Sequence, residues 1–378
     1  MKSKRRVFII GPAHPLRGGL ATFNQRFAEE FLNQGYDAEI YNYKLQYPGI
    51  FFPGKSQYTD EPAPERVLIR TIINSVNPFN WIKVGRQIRR ERPDIIIFRY
   101  WMPFFAPCIG TIARIVRKNR FTRILAIADN VIPHEKRPGD SLLTKYFVSS
   151  MHGFITMSEA VKEQLQTFTS KKPILYNPHP LYDNFGEALE KNDAKLELGL
   201  NTDTDYILFF GFIRAYKGLD ILLEAFSDQR LVEKNIKLLV VGEFYDDEEK
   251  YYRIVKANNL SERIVFVKDF VPDSRVKYYF SASEIVAQPY KDATQSGVTQ
   301  IAYHFNKPMI VTNVGALPEM VPDGKVGYVT DVCAVAVADA LLKYFDHPDK
   351  ELFIAHIKEE KRKYSWDNFI KKIVAECC

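Results

Sequence analysis

Arg214 and Lys217 stand three residues apart in FFGFIRAYKGLDILLEAF, residues 209–226. A guanidinium fork beside a compact ammonium suits a diphosphate. The segment reads as a buried strand that breaks at Gly211 and continues as a loop carrying both cations. After Gly218, Leu219, Leu222, Leu223 and Phe226 recur on one face of a helix. Strand, glycine-bearing loop and helix start together make an anion site, because backbone N–H groups and the helix dipole point at the ligand. Two solvated cations on an ordinary loop have the same composition, and that reading stays open.

Two further segments share this chemistry. GPAHPLRGGLATF places Gly18 and Gly19 at the start of a helix striped by Leu20, Phe23, Phe27 and Phe31. Glycines let backbone approach a ligand closely, and a helix start favours a negative one. A plain strand-to-helix turn fits as well. Pro12-Ala13-His14-Pro15 after Gly11 departs from the dinucleotide GxGxxG fingerprint, which disfavours an NAD oxidoreductase. Near the other end, Thr294, Gln295, Ser296 and Gly297 precede an apolar helix whose first N–H groups can hold phosphate or sugar oxygens.

Apolar runs that read as buried strands begin at Val7, Ile95, Ile124 and Phe154, and again at Tyr206, Lys237, Ile264, Ile285 and Pro308. Helical patterns lie between them, Val335 to Phe345 among them. The alternation predicts parallel sheets covered on both faces, built twice. Tyr176 to Gly186, YNPHPLYDNFG, reads as the linker. Two doubly wound α/β domains then face a central cleft, where ligands of such sheets bind.

The chain has 378 residues, 46% hydrophobic and 26% charged, long enough for two cores. Cys108, Cys333, Cys377 and Cys378 form no CxxC pattern, so neither a zinc site nor a disulfide framework is indicated, and a cytoplasmic setting is expected. The apolar run Val7–Ile10 is too short for a signal peptide, and no stretch approaches a membrane span. The net charge of +6 divides into +12 over residues 1–185 and −6 over 186–378. Basic clusters at Lys83–Arg92 and Arg114–Arg123 come without a nucleic-acid motif. An anionic membrane or a phosphorylated acceptor fits them, and so does a solvated face.

Taken in order, the glycine pair, GFIRAYKGLDILLEAF, VVGE at Val240–Glu243, DFVPD at Asp269–Asp273, PYKDATQSG and NKPMIVTNVGALPE resemble the GT-B glycosyltransferases, and specifically glycosyltransferase family 4. KYSWDNFIKKIVAE looks like that family's terminal helix, which returns to the first domain. The resemblance implies an acceptor-side domain, 1–182 with the helix 364–378, and a donor-binding domain, 183–363. It implies a nucleotide-sugar co-substrate, no cofactor and no metal. It also implies retention of anomeric configuration, with charge building on the departing nucleoside diphosphate. Arg214 and Lys217 match the diphosphate pair, Gly18 and Gly19 the loop that closes over it, and Phe270 and Val271 lie where the base would sit. The acidic run Asp246–Glu249 reads as a helix start. The acceptor is expected to be a glycan or a lipid-linked sugar in polysaccharide synthesis, with peripheral contact to an anionic membrane.

Two departures from the family pattern stand out. The family's two glutamates, eight residues apart, fall here on Ala293 and Ile301, or one residue earlier on Asp292 and Gln300. Gln300 then accepts a ribose hydrogen bond and Asp292 contacts the sugar, or the Thr294–Gly297 backbone does most of the holding. Where relatives present a histidine after a first-domain strand, this chain has Asp129 and Asn130, and His134 comes later. Asp129 could orient a hydroxyl, or cap a turn; His134 could line the acceptor pocket. A non-hydrolysing nucleotide-sugar epimerase and an inactive sugar-nucleotide-binding protein are the alternatives.

Overall fold

The computed structural model describes residues 4–48, 56–132, 137–293 and 296–377. The chain divides into two compact units, Met1–Pro180 with Ser365–Cys378, and Leu181–Tyr364. No helix among the described residues is long and apolar enough to cross a membrane.

The first unit is built on seven parallel strands. They are β1 (Arg6–Ile10), β2 (Asp37–Leu45), β3 (Leu68–Asn74), β4 (Ile95–Tyr100), β5 (Arg123–Ala128), β6 (Gly153–Thr156) and β7 (Ile174–Tyr176). Their spatial order is β3-β2-β1-β4-β5-β6-β7. Chain order therefore reverses between β1 and β4, which leaves a crevice at their carboxyl ends. Near-continuous apolar runs such as IIIFRY in β4 suit strands covered on both faces. One face carries Phe8, Phe98, Tyr100 and Phe154 against the helices Pro78–Glu91, Ala106–Arg117 and Asp140–Ser150. On the helix Gly19–Asn33, Phe23 and Phe27 pack against Trp366 and Phe369 of the terminal helix Trp366–Cys377.

The second unit has six parallel strands. These are β8 (Asp205–Phe210), β9 (Ile236–Val241), β10 (Ile264–Val267), β11 (Ile285–Gln288), β12 (Met309–Thr312) and β13 (Gly327–Thr330). The order β10-β9-β8-β11-β12-β13 reverses between β8 and β11. Leu219, Leu222, Leu223 and Phe226, the predicted helix face, are all buried in one core with Val240, Tyr251 and Leu341. The alternation of strand and helix thus yields two doubly wound α/β folds. Strands β2, β3, β7 and β13 are additions that apolar runs did not reveal.

Candidate active site

The loops after β8 and β11 rise from the two strands that flank the switch point of the second sheet. They are tied to each other. Lys291 N–H donates to the Tyr216 carbonyl at 2.7 Å, and the Lys291 ammonium pairs with Asp220 at 2.5 Å. The β8 loop is also pinned on its other side. Gly211 N–H donates to Val241, Ile213 N–H to Glu243, and Tyr245 N–H back to Ile213. Gly211 takes φ +97°, which lets the chain leave the strand sharply.

This backbone fixes the two predicted cations differently. Arg214 is exposed, with its guanidinium 5.0 Å from the Tyr245 ring. Lys217 folds inward: its Nζ sits 3.1 Å from the position a Gly211 β-carbon would take, and 5.5 Å from the Tyr290 ring. Desolvation holds the Lys217 ammonium below its ordinary pKa, and Arg214 adds to that effect. Among the described residues neither cation has an ion-pair partner. A partly buried ammonium without a counter-ion is a costly arrangement that an anionic ligand would relieve.

The β11 side supplies a helix start. Gln288 ends β11, and its Oε1 accepts from the hydroxyls of Ser296 at 2.6 Å and Thr299 at 3.1 Å. Ser296 therefore gives its hydroxyl to Gln288 and does not cap the helix Gly297–His304 that it precedes. Gly297 is the first residue of that helix, and Val298 lies 3.7 Å from the Gly211 β-carbon position. Gln300 is fully buried, and neither atom of its carboxamide has a partner. Asp292 is exposed on the loop. Thr294 and Gln295 lie outside the described residues.

Aromatic rings extend the site toward β10. Phe212 stacks on Tyr245 at 4.6 Å, and Phe270 lies near-parallel to Phe212 at 6.3 Å. Flat apolar faces suit a nucleobase. Val271 follows, half-buried. The structure thus brings Gly211, Arg214, Lys217, Ser296, Gly297, Gln300 and Phe270 to one end of the second sheet. Phe212, Tyr245, Gln288 and Tyr290 join them without having been singled out in the sequence. The acidic run borders a helix: Asp247 accepts from Glu249 N–H at the start of Glu249–Ala257, and Asp246 pairs with Lys250.

In the first unit Gly18, at φ +105°, precedes the helix that Gly19 opens. Asp129 is buried, and both carboxylate oxygens accept from Arg99, from Nε and Nη2 at 2.5 Å each. The carboxylate is turned toward Arg99, so the expected role of orienting a substrate hydroxyl directly has to be re-read through that pair. Asn130 Oδ1 is buried without a partner. His134 lies outside the described residues. Arg99 was missed, although one charged residue inside IIIFRY was a visible signal.

Residues 204–347 match the family model described as Glycosyl transferases group 1. The solved structure of sucrose-phosphate synthase from Thermosynechococcus elongatus superposes with TM-score 0.74 at 15% identity, covering 98% of each chain. HepE of Anabaena, in complex with UDP-glucose, gives 0.73 at 14% identity and the same coverage. The chain has the GT-B fold. In sequence, a D-inositol 3-phosphate glycosyltransferase of Corynebacterium urealyticum is 26% identical over 197 residues, 50% of this chain and 46% of that protein. An uncharacterized glycosyltransferase of Methanocaldococcus jannaschii is 25% identical over 77% of both chains. The match thus spans about half the length of the first relative and most of the second. Domain match and GT-B fold together support a glycosyltransferase superfamily.

Proposed function

We propose that this GT-B chain is a retaining glycosyltransferase that moves a sugar from a nucleotide donor to a glycan or lipid-linked acceptor. The observation that carries the reading is Lys217. It is a desolvated ammonium with no counter-ion among the described residues, held beside Arg214 at the switch point of the second sheet. Charge develops on the nucleoside diphosphate as the glycosidic bond breaks. Fixed cations and helix starts aimed at that charge lower the barrier without reorganising. They also supply the positive potential that a metal would otherwise provide, so a required metal is not part of the proposal. Phe212 and Phe270 offer a stacking surface for the base. The UDP-glucose in the HepE complex and the names of the sequence relatives support a sugar nucleotide as donor.

The acceptor is placed on the first unit. Its helix Pro78–Glu91 leaves Phe79 84% exposed and carries Lys83, Arg86, Arg89 and Arg90. An exposed aromatic beside cations suits an anionic lipid surface, which favours a lipid-linked acceptor and a peripheral, cytoplasmic-face location. The reading is tested by incubating the protein with UDP-, ADP- and GDP-sugars, with and without lipid-linked or oligosaccharide acceptors. Diphosphate release that needs an acceptor, and survives EDTA, is expected. Sugar interconversion without an acceptor would make the chain an epimerase, and binding without turnover would make it a binding protein.

A further inference from the structure

Arg99 is 2% exposed on its side chain and emerges near the carboxyl end of β4, beside the β1–β4 switch point of the first sheet. Asp129 takes two of its nitrogens, and the Phe23 ring covers the guanidinium at 4.0 Å. The third nitrogen, Nη1, is buried and has no partner. Asn24, 1% exposed, follows Phe23 on the helix Gly19–Asn33. Its Nδ2 donates to the Pro12 carbonyl at 2.8 Å, and its Oδ1 is left buried and unpartnered. Gly11 relates the two side chains. A β-carbon there would stand 2.6 Å from Asn24 Nδ2 and 2.9 Å from Arg99 Cβ. A third orphan, Asn130 Oδ1, directly follows Asp129 at the end of β5.

Buried polar atoms are almost always paired in native proteins, so two orphans on side chains that both border Gly11, and a third next in sequence to Asp129, call for a partner. Their chemistry narrows what that partner is. Asp129 already balances the charge of Arg99. The open valences are one strong N–H donor and two carboxamide acceptors. A phosphate would set lone pairs against Asn24 Oδ1. A hydroxyl both accepts from Arg99 and donates to a carboxamide. We infer that Arg99, Asn24 and Asn130 form a sugar-hydroxyl site in the first unit, with Asp129 as the positioning residue that holds Arg99. This rests on the glycosyltransferase reading and adds to it the group by which the first unit grips carbohydrate.

The test uses two variants of the full chain. Asn24→Leu keeps the volume and removes the acceptor. Arg99→Met with Asp129→Leu removes the ion pair as a pair and leaves no unpaired buried charge. Two calorimetric arms separate the transferred sugar from an acceptor sugar. One is the affinity difference between UDP-glucose and UDP, with the ADP and GDP counterparts in parallel. The other is binding of glucose, N-acetylglucosamine or maltose to protein saturated with the diphosphate. At least a tenfold loss in one arm is expected in both variants, with diphosphate affinity held within twofold. Should the double variant fail to fold, Asn24→Leu alone decides. Both arms unchanged would mean that the orphans hold only water, and would overturn the inference while leaving the donor site intact. A wild type that binds none of the diphosphates would overturn the glycosyltransferase reading as well.

Discussion

The carbonyl oxygen of Pro289 fills the space that a β-carbon on Gly218 would need, and Gly218 itself sits at φ +67°. Gly218 ends the cation loop after β8 and precedes the helix Leu219–Phe226, while Pro289 opens the loop after β11. The two halves of the candidate donor site therefore meet at a residue that has no room for a side chain. Gly218→Ala should destabilise the second unit by ~1–3 kcal/mol, the scale of a strained backbone position. A lower denaturation midpoint, together with weaker nucleotide binding, is expected. An unchanged midpoint would show that the loops separate freely.

Lys217→Met should lower the transfer rate roughly 100-fold or more, as loss of a transition-state charge contact does, and Arg214→Ala should act likewise. The melting temperature should not fall in Lys217→Met, because a desolvated ammonium with no counter-ion among the described residues is removed. There is also a proton signature. Burial depresses the Lys217 pKa, and an anionic ligand raises it again. Binding of a nucleoside diphosphate at alkaline pH should therefore take up protons, read by calorimetry in buffers of different ionisation enthalpy. Lys217→Met should bind without that uptake.

Gln300 has two orphaned atoms in a fully buried carboxamide. Replacing it with Met exchanges an unsatisfied polar group for an apolar one of similar size, which is neutral or stabilising on general grounds. If Gln300 serves the ribose, diphosphate affinity should drop by about 1 kcal/mol, the scale of one neutral hydrogen bond. Binding of a 2′,3′-dideoxy analogue should barely change. Equal losses for both ligands would assign Gln300 to packing alone.

Acid should weaken the first unit before its carboxylates are protonated. Burial pushes His179 down to about 3 and His152 to about 4, the latter helped by Arg117 and Arg123. Each binds its proton more readily when unfolded, near an ordinary pKa of about 6.5. Stability is then full above that value and is lost as pH falls toward the folded values, at up to about 1.4 kcal/mol per pH unit for each histidine. Urea midpoints at pH 7 and pH 5 should differ in the wild type. The difference should shrink in His179→Phe, whose ring would remain against Phe23.

Liposomes containing anionic lipid should sediment the protein at low salt and release it at high salt, since salt screens charge over ~8–10 Å. Phe79→Ala should weaken the salt-resistant part of that binding. Reversing the charge of Arg86, Arg89 and Arg90 should weaken the salt-sensitive part and leave nucleotide affinity alone. A wild type that ignores such liposomes at low salt would point to a soluble acceptor.

Strands buried on both faces were legible because they spell continuous apolar runs, as Ile95 to Phe98 does. β2 was not, because DAEIYNYKL mixes in polar residues whose partners come from elsewhere. Asn42 is bonded by Ala13, His14 and Thr71, and Glu39 by Arg70. β7, ILY, is only three residues long, and β13, GYVT, interrupts its four with glycine and threonine, so neither offers an apolar run of strand length. In the candidate site the loops were legible from their cations and glycines. The supports Gln288 and Tyr290 were not, since a buried hydrogen-bond acceptor and a ring wall look like any strand end. The Arg99–Asp129 pair spans 30 residues and exists only because β4 and β5 are neighbours, with Arg99 opposite Ile127.

Leu181 N–H donates to the Tyr364 carbonyl at 2.9 Å, so the second unit begins and ends at one place and is an insertion within the first. During synthesis this ordering has a cost in time. Phe23 and Phe27 leave the ribosome early, but Trp366 and Phe369, which cover them, come more than 300 residues later. At typical elongation speeds of about 5–20 residues per second, that apolar stripe stays open for roughly 20–70 seconds. The described strands of the inserted unit end at Thr330 and its core residues at Phe353, both ahead of Trp366. The core of the first unit is thus the one that waits for a late helix, Trp366–Cys377, before its apolar stripe is covered.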